Sequence, residues 1–268
     1  MKNEIRIGTS GFGISKVEYA QRFSCVEVQH TFYQPPRVST LERWRNETPP
    51  EFEFTLKAWQ LITHDSRSPT YRRLKRKLSA EEKQQAGYFR PTPIVREAWE
   101  ITRACAEALQ AKTILFQCPI SFKPSEENIG NMRSFFEGVK REDNSGQFNF
   151  VWEPRGDWDS KVVEDLCNSL GLWHVVDPFV NKTMTPSHCY FRLHGRGGWR
   201  YEYDDAELHE LAAMLPPAQS LGKPRRRPRS AAKGGHYVFF NNVTMTKDAL
   251  RFQEMLNGSG SARQNPDR

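Results

Sequence analysis

Residues able to do chemistry recur at the ends of short apolar runs. In CYFRLHG (residues 189–195) Phe191 and Leu193 alternate with Arg192 and His194, which puts a guanidinium and an imidazole on the face opposite the apolar one. FEFTLKA sets Phe52, Phe54 and Leu56 against Glu53, Thr55 and Lys57. CVEVQHTFY sets Val26 and Val28 against Glu27 and Gln29, and KTILFQCP sets Ile114 and Phe116 against Gln117. FNFVWEPRG sets Phe150 and Trp152 against Glu153 and Arg155, while Asp177 and Asn241 close WHVVD and HYVFFNN. One such residue alone is as readily a satisfied core ion as a functional group. Nine of them, one or two to a strand, describe a ring. In it, Arg155 and Arg192 suit a bidentate grip on phosphate or carboxylate. Glu153 and His194 are candidate general bases or acids, and Lys57 is a candidate proton donor, electrophile or, if desolvated, Schiff-base amine. Glu27, Gln117, Asp177 and Asn241 are expected to bind substrate, joined by His64 of ITHD just past the third run.

Eight runs must position this ring. Besides those above they include IRIGTSG near the start. Helical patterns lie between most of them: STLERWRNE, with Ser39 and Glu42 spaced as a capping box; DDAELHELAAML, with Asp204 and Glu207 spaced likewise; SEENIGNMRSFFEGV, with Ile129, Met132, Phe135 and Phe136 on one face; and DSKVVEDLCNSLG, stopped at Gly171. PFVNKTMTPSH, between the sixth and seventh runs, is too short and Pro-rich for a full helix. Strand–helix alternation over one domain's length implies an α/β fold with a parallel sheet, and eight units imply closure into a (β/α)₈ TIM barrel with one irregular connection between strands 6 and 7. An open doubly wound sheet is the rival, but GTSGFG lacks the GxGxxG spacing of its phosphate turn. In a barrel the ring lies at the carboxyl ends of the strands, where such folds carry their chemistry. Arg6 and Glu53, nearer the other end, read as a structural ion pair. Trp99, Trp152 and Trp173 read as packing between helices and barrel, His30 as structural, and Trp199 and Tyr201 as loop aromatics able to stack on a ligand or on a neighbouring loop.

The chain of 268 residues carries a net charge of +7, which favours anionic partners. Much of the excess is local. YRRLKRKL falls in residues 65–93, expected as a basic βα insertion on the catalytic face, where Arg72, Arg73, Lys75, Arg76 and Lys77 can overhang the mouth. GKPRRRPR falls in residues 218–235, expected as a flexible αβ loop on the opposite face. Residues 1–257 are expected to form one domain and 258–268 a disordered tail. No apolar run approaches the roughly 20 residues of a membrane helix, and the first residues show no signal-peptide pattern. Five scattered cysteines without a CxxC pair fit a reducing, cytoplasmic setting.

The ordered set GTSGF, VEVQHTFY, FEFTLKAWQLITH, LFQCP, WEPRGDW, YFRLHG and YVFFNN resembles the YecE-like family (domain of unknown function 72), from Ile5 to about Asn257. The resemblance implies a TIM barrel and assigns no reaction. The chain departs from the family pattern after the Gly of GTSGF, before the Thr of VEVQHTFY and near Glu153, and the basic insertion with GYFRPT looks like a subfamily feature.

Three functional readings follow from the ring. The first is an enzyme acting by acid–base chemistry on a small anionic or polyhydroxylated substrate. The second is a metal-dependent phosphodiesterase binding nucleic acid through the basic insertion, with Glu27, His64, Glu153, Asp177 and His194 as ligand types. Lys57, Arg155 and Arg192 in the same mouth would repel a divalent cation, so the metal is not favoured. The third is a non-catalytic module that binds an anionic ligand.

Overall fold

The computed structural model describes residues 5–142, 146–216 and 235–261. Eight parallel strands form the sheet: β1 (Ile5–Thr9), β2 (Cys25–Val28), β3 (Glu53–Lys57), β4 (Thr113–Gln117), β5 (Asn149–Glu153), β6 (Trp173–Val176), β7 (Tyr190–Leu193) and β8 (His236–Phe240). They pair in the order β1-β8-β7-β6-β5-β4-β3-β2. A parallel bridge between Ser10 and Glu27 brings the two ends of that row together. Closure depends on Gly8, because a Cβ there would stand 2.4 Å from the carbonyl oxygen of Cys25 on β2. The fold is therefore the expected TIM barrel.

The helices are α1 (Lys16–Arg22), α2 (His30–Tyr33), α3 (Val38–Asn46), α4 (Gln60–Thr63), α5 (Ala80–Gln85), α6 (Pro93–Leu109), α7 (Glu126–Glu142), α8 (Ser160–Leu170), α9 (Asp205–Met214) and α10 (Met245–Ser261). Local signals place most of their ends. Asp204 and Glu207 make the expected reciprocal cap of α9, and Gly171 ends α8 at φ 55°. The capping box expected at Ser39 is absent. Helix α3 begins at Val38, with Arg37 extended before it and no side-chain cap, so Ser39 lies inside the first turn. Pro35 and Pro36 hold the chain extended until Arg37, and the helix starts as soon as that constraint ends. At the other end, α10 continues to Ser261, so the tail expected from 258 begins within a helix; 262–268, like nearly all of the 218–235 loop, lie outside the described residues.

The inside–outside alternation follows the apolar residues. Val26, Val28, Phe54, Leu56, Ile114, Phe116, Phe150, Trp152, Phe191 and Leu193 pack outward with the helices in one continuous core. An aromatic cluster in it joins Trp99 of α6 and Phe135 and Phe136 of α7 to Phe116 and Phe150, with ring centroids 5.0–6.4 Å apart. A second, smaller core fills the barrel with Cys25, Leu115, Val151, Trp173, Val175, Tyr190, Tyr237 and Phe239. Trp173 thus packs inside the barrel rather than against the helices, because it shares the face of Val175 and not of Val176.

No helix separates β6 from β7. The connecting chain bonds directly to β6: Thr185 Oγ1 accepts from the His174 amide at 2.9 Å, and the Met184 amide donates to His174 Nδ1 at 3.1 Å. Residues 65–93 are also tightly held. Tyr71 donates to the His64 carbonyl at 2.8 Å, and the Gly87 and Phe89 amides donate to the carbonyls of Leu61 and Ile62. Gly87, at φ +81°, lies so near the His64 carbonyl that a Cβ would be 2.2 Å from its oxygen. The insertion is a folded shoulder on the rim, with one short 3₁₀ turn at Pro69–Arg73.

Candidate active site

The site has a floor of buried ions. Arg192 on β7 reaches across the barrel, where its Nε and one terminal nitrogen donate to Glu27 Oε1 at 3.1 and 2.9 Å. Its other terminal nitrogen donates to Glu153 Oε2 at 2.5 Å. All three side chains are buried. Glu27 is saturated further: Ser10 donates to Oε1 at 2.8 Å, Gln29 donates to the same atom, and Tyr190 donates to Oε2 at 2.7 Å. Burial alone would lower the Arg192 pKa, but the carboxylates of Glu153 and Glu27 outweigh it and hold the guanidinium above its ordinary value. For Glu153 burial pushes upward, and Arg192, His194 and Arg155 overcome it, leaving the carboxyl well below the usual range. Glu153 is a permanent anion near neutral pH and has no proton to give as a general acid.

On this floor stands a chain of softer contacts. Arg155 donates through Nε and a terminal nitrogen to Glu153 Oε1 at 3.0 and 2.8 Å, and the same terminal nitrogen lies 3.0 Å from His194 Nε2. The latter is also 3.3 Å from Glu153 Oε1. His194 Nδ1 meets the Asn241 side-chain amide at 3.0 Å. That amide can present its NH₂ or, turned over, its oxygen, and so fits either imidazole tautomer. With its NH₂ toward Nδ1, Nε2 carries the proton and donates to Glu153; with its oxygen toward Nδ1, Nε2 accepts from Arg155 instead.

Lys57 is different. It is 5% exposed, and Nζ sits 3.6 Å from the centroid of the Phe32 ring without an ion pair or hydrogen bond among the described residues. Burial, reinforced by Arg192 and only partly offset by Glu153 and Glu27, brings its pKa down to about 7. The Phe32 face favours its charge, but burial outweighs that contact.

These groups open on a cavity of about 340 Å³ at the carboxyl ends of the strands. Lys57, Arg155, Arg192, His194, Gln117 and Asn241 line it, with Gln29, His30 and Tyr33 from the segment after β2. Arg73 completes the lining from the insertion, its guanidinium stacked 3.6 Å over Tyr33. No carboxylate is part of the lining. A second cavity of about 680 Å³ lies on the far side of Arg155 and His194, between α8 and the helix-free β6–β7 connection. Glu153, His174, Asp177 and Lys182 contribute to its wall.

The sequence matches the family model described as protein of unknown function DUF72 over residues 17–268. The chain belongs to this family. No curated protein matches it. A DUF72 protein of Enterococcus faecalis V583 has 22% identity and a TM-score of 0.69, with 95% of this chain and 98% of that one covered. A DUF72 protein of Thermotoga maritima MSB8 has 21% identity and a TM-score of 0.61, over 94% and 99%. Beyond the family, a D-psicose 3-epimerase crystallised in the presence of D-fructose superposes with a TM-score of 0.56 at 12% identity, over 91% of each chain, a likeness of fold.

In this DUF72 protein the ring expected from sequence separates into three groups. Lys57, Gln117, Arg155, Arg192, His194 and Asn241 meet at the mouth. Glu27 and Glu153 form the floor beneath it, each accepting from Arg192, and Glu27 is not part of the cavity lining. Asp177 and His64 turn away from the mouth lining. Asp177 accepts from the backbone amides of His194 at 2.9 Å and Phe179 at 3.1 Å, fixing the end of β7. His64 is buried against Phe32, its Nδ1 2.8 Å from the Thr63 hydroxyl, and burial drives its pKa down to about 3. The metal set weighed from sequence is scattered in the same way, and no group of three His, Cys, Asp or Glu side chains converges among the described residues. Of the five basic residues of YRRLKRKL, Arg73 alone lines the mouth, and Arg76 is spent on Glu82 and Glu97 at 2.5 and 2.7 Å. Sequence reasoning passed over Ser10, Tyr33 and Tyr190, and placed Gln29 on the inward face without giving it a role. Tyr190 had a legible signal, being two residues before Arg192 on the same strand face.

Proposed function

We propose that this DUF72 protein is an enzyme that binds a small anionic substrate in the mouth and moves protons on it through Lys57 and His194. The observation that carries this reading is the composition of the lining: Lys57, Arg73, Arg155 and Arg192 together, with no carboxylate facing the cavity. Such a pocket focuses positive potential and draws anions. Arg192 is already committed to Glu27 and Glu153, so the direct anion contacts fall to Arg73 and to the Arg155 nitrogen that makes no hydrogen bond among the described residues. Arg155 is 36% exposed at its side chain and can turn toward a ligand without leaving Glu153. Lys57, with a pKa near 7, exists partly as the free amine at neutral pH and can take or give a proton there. His194 is more open than Lys57 and couples the mouth to solvent, while Asn241 holds its ring through Nδ1. The insertion supplies Arg73, and we take that segment to mark a subgroup of the family with its own anion preference.

The same lining weakens the metal reading, since three guanidinium groups at a mouth without a carboxylate repel a divalent ion. The test is calorimetric titration of the full chain with inorganic phosphate, followed by a series of small carboxylates and sugar phosphates. Wild type is expected to bind phosphate in the micromolar to low millimolar range, with affinity falling at least tenfold in Arg73→Ala and Arg155→Ala. Equal affinities in all three proteins would remove the mouth as the binding site.

A further inference from the structure

We infer that the substrate carries a reactive carbonyl group and that Lys57 attacks it, forming a carbinolamine and then an imine. This deepens the anion-binding reading above and rests on it. An amine kept only for its charge is normally paired with a carboxylate. Two carboxylates lie near Lys57, and both are bound to Arg192 and closed to it. What surrounds Nζ instead is the face of Phe32 on one side and the cavity on the other, at 5% exposure. The Phe32 face can steady an ammonium, but burial and the two guanidiniums outweigh it and favour the uncharged nitrogen, which borders a ligand-sized space. The charged groups that bear on it agree: Arg192 on β7 and Arg155 after β5 oppose protonation, Glu153 and Glu27 favour it more weakly than burial opposes it, and His64 is neutral. The division of labour is also present, because Arg73 and the free nitrogen of Arg155 can hold an anionic group apart from Nζ.

In the step itself the Nζ lone pair adds to the carbonyl carbon while the C=O π pair moves to oxygen, which takes a proton. Loss of a proton from nitrogen gives the carbinolamine. Expulsion of that oxygen as water, after it takes a second proton, leaves the iminium. No oxidant or reductant is consumed. His194 and His30, the imidazoles of the lining, are placed to exchange these protons with solvent.

The experiment uses pyridoxal 5′-phosphate and, separately, glyceraldehyde 3-phosphate as probes, with cyanoborohydride present at pH 7.5. Intact-mass analysis and peptide mapping read the result. One adduct per chain is expected, on Lys57, formed at least tenfold faster than on any surface lysine. It should be suppressed by excess inorganic phosphate and be missing from Lys57→Met and Lys57→Arg. Adducts spread over surface lysines, or none on Lys57, overturn the inference. If phosphate binds in calorimetry while Lys57 stays unmodified, the carbonyl chemistry fails and the anion site stands. If phosphate does not bind at all, the underlying reading fails with it.

Discussion

The two ends of the barrel each hold paired ionisable groups, and they balance them differently. At the amino end Arg6 and Glu53 meet at 2.7 Å, and Tyr237 donates to the same carboxylate oxygen at 2.7 Å. Their side chains are 20% and 36% exposed, so water shares the work. At the carboxyl end Glu27, Arg192 and Glu153 are sealed at 0–7% exposure, with Tyr190 donating to Glu27. The lower pair is joined to itself and to Tyr237. The upper triad is satisfied too, but Lys57, Arg73 and part of Arg155 are left over, and they face a cavity. A buried ion becomes evidence of function when the charges around it do not close and the remainder has room beside it.

Charge removal should break or sharpen this contrast most strongly. Arg192→Met strands two buried carboxylates and is expected to cost about 3–5 kcal/mol or abolish folding. Arg6→Met removes a part-exposed partner and is expected to cost about 0–1 kcal/mol. Urea unfolding of both variants decides, and equal costs would erase the distinction between the layers.

Lys57→Met should act in the opposite direction. The unfolded chain protonates this lysine below its ordinary value of 10.5, whereas the folded chain does so only below about 7. Between those values the unfolded state holds more protons, so wild type gains stability from this residue as pH rises from about 7 toward 10. Lys57→Met is therefore expected to be more stable than wild type at pH 6, by on the order of a few kcal/mol. The advantage should shrink steadily to pH 10 in thermal melts. A variant destabilised at pH 6 would mean that Lys57 has a carboxylate partner after all.

A smaller contrast comes from the tyrosines. Tyr190→Phe leaves one oxygen of sealed Glu27 without its donor and should cost about 1.5–3 kcal/mol. Tyr237→Phe leaves Glu53 with Arg6 and solvent and should cost about 1 kcal/mol or less. Chemical denaturation of the pair measures the difference.

Much of this site was legible in the chain. Period-two alternation assigned Glu27, Lys57, Gln117, Glu153 and Arg192 to the barrel interior, because an apolar neighbour on each side must face the helices. Arg155, His194 and Asn241 were reached by continuing that alternation past the strand ends, and there it became unreliable. Asp177 lies one residue beyond β6, where the backbone turns and uses the carboxylate for its own amides. His64 lies past the short α4, which carries it behind Phe32. Arg73 could not be singled out among five basic neighbours, since the insertion has no period that points one of them at the mouth.

The sequence alone determined the alternation of strands and helices and the faces that look inward, because these depend on residues a few positions apart. Which inward charge neutralises which was decided only by the tertiary structure. Arg192 and Glu27 are 165 positions apart in the chain and 2.9 Å apart in space. Hydrogen bonding and Coulomb energy follow the second separation, and so the lysine left without a partner can be found only after the barrel has closed.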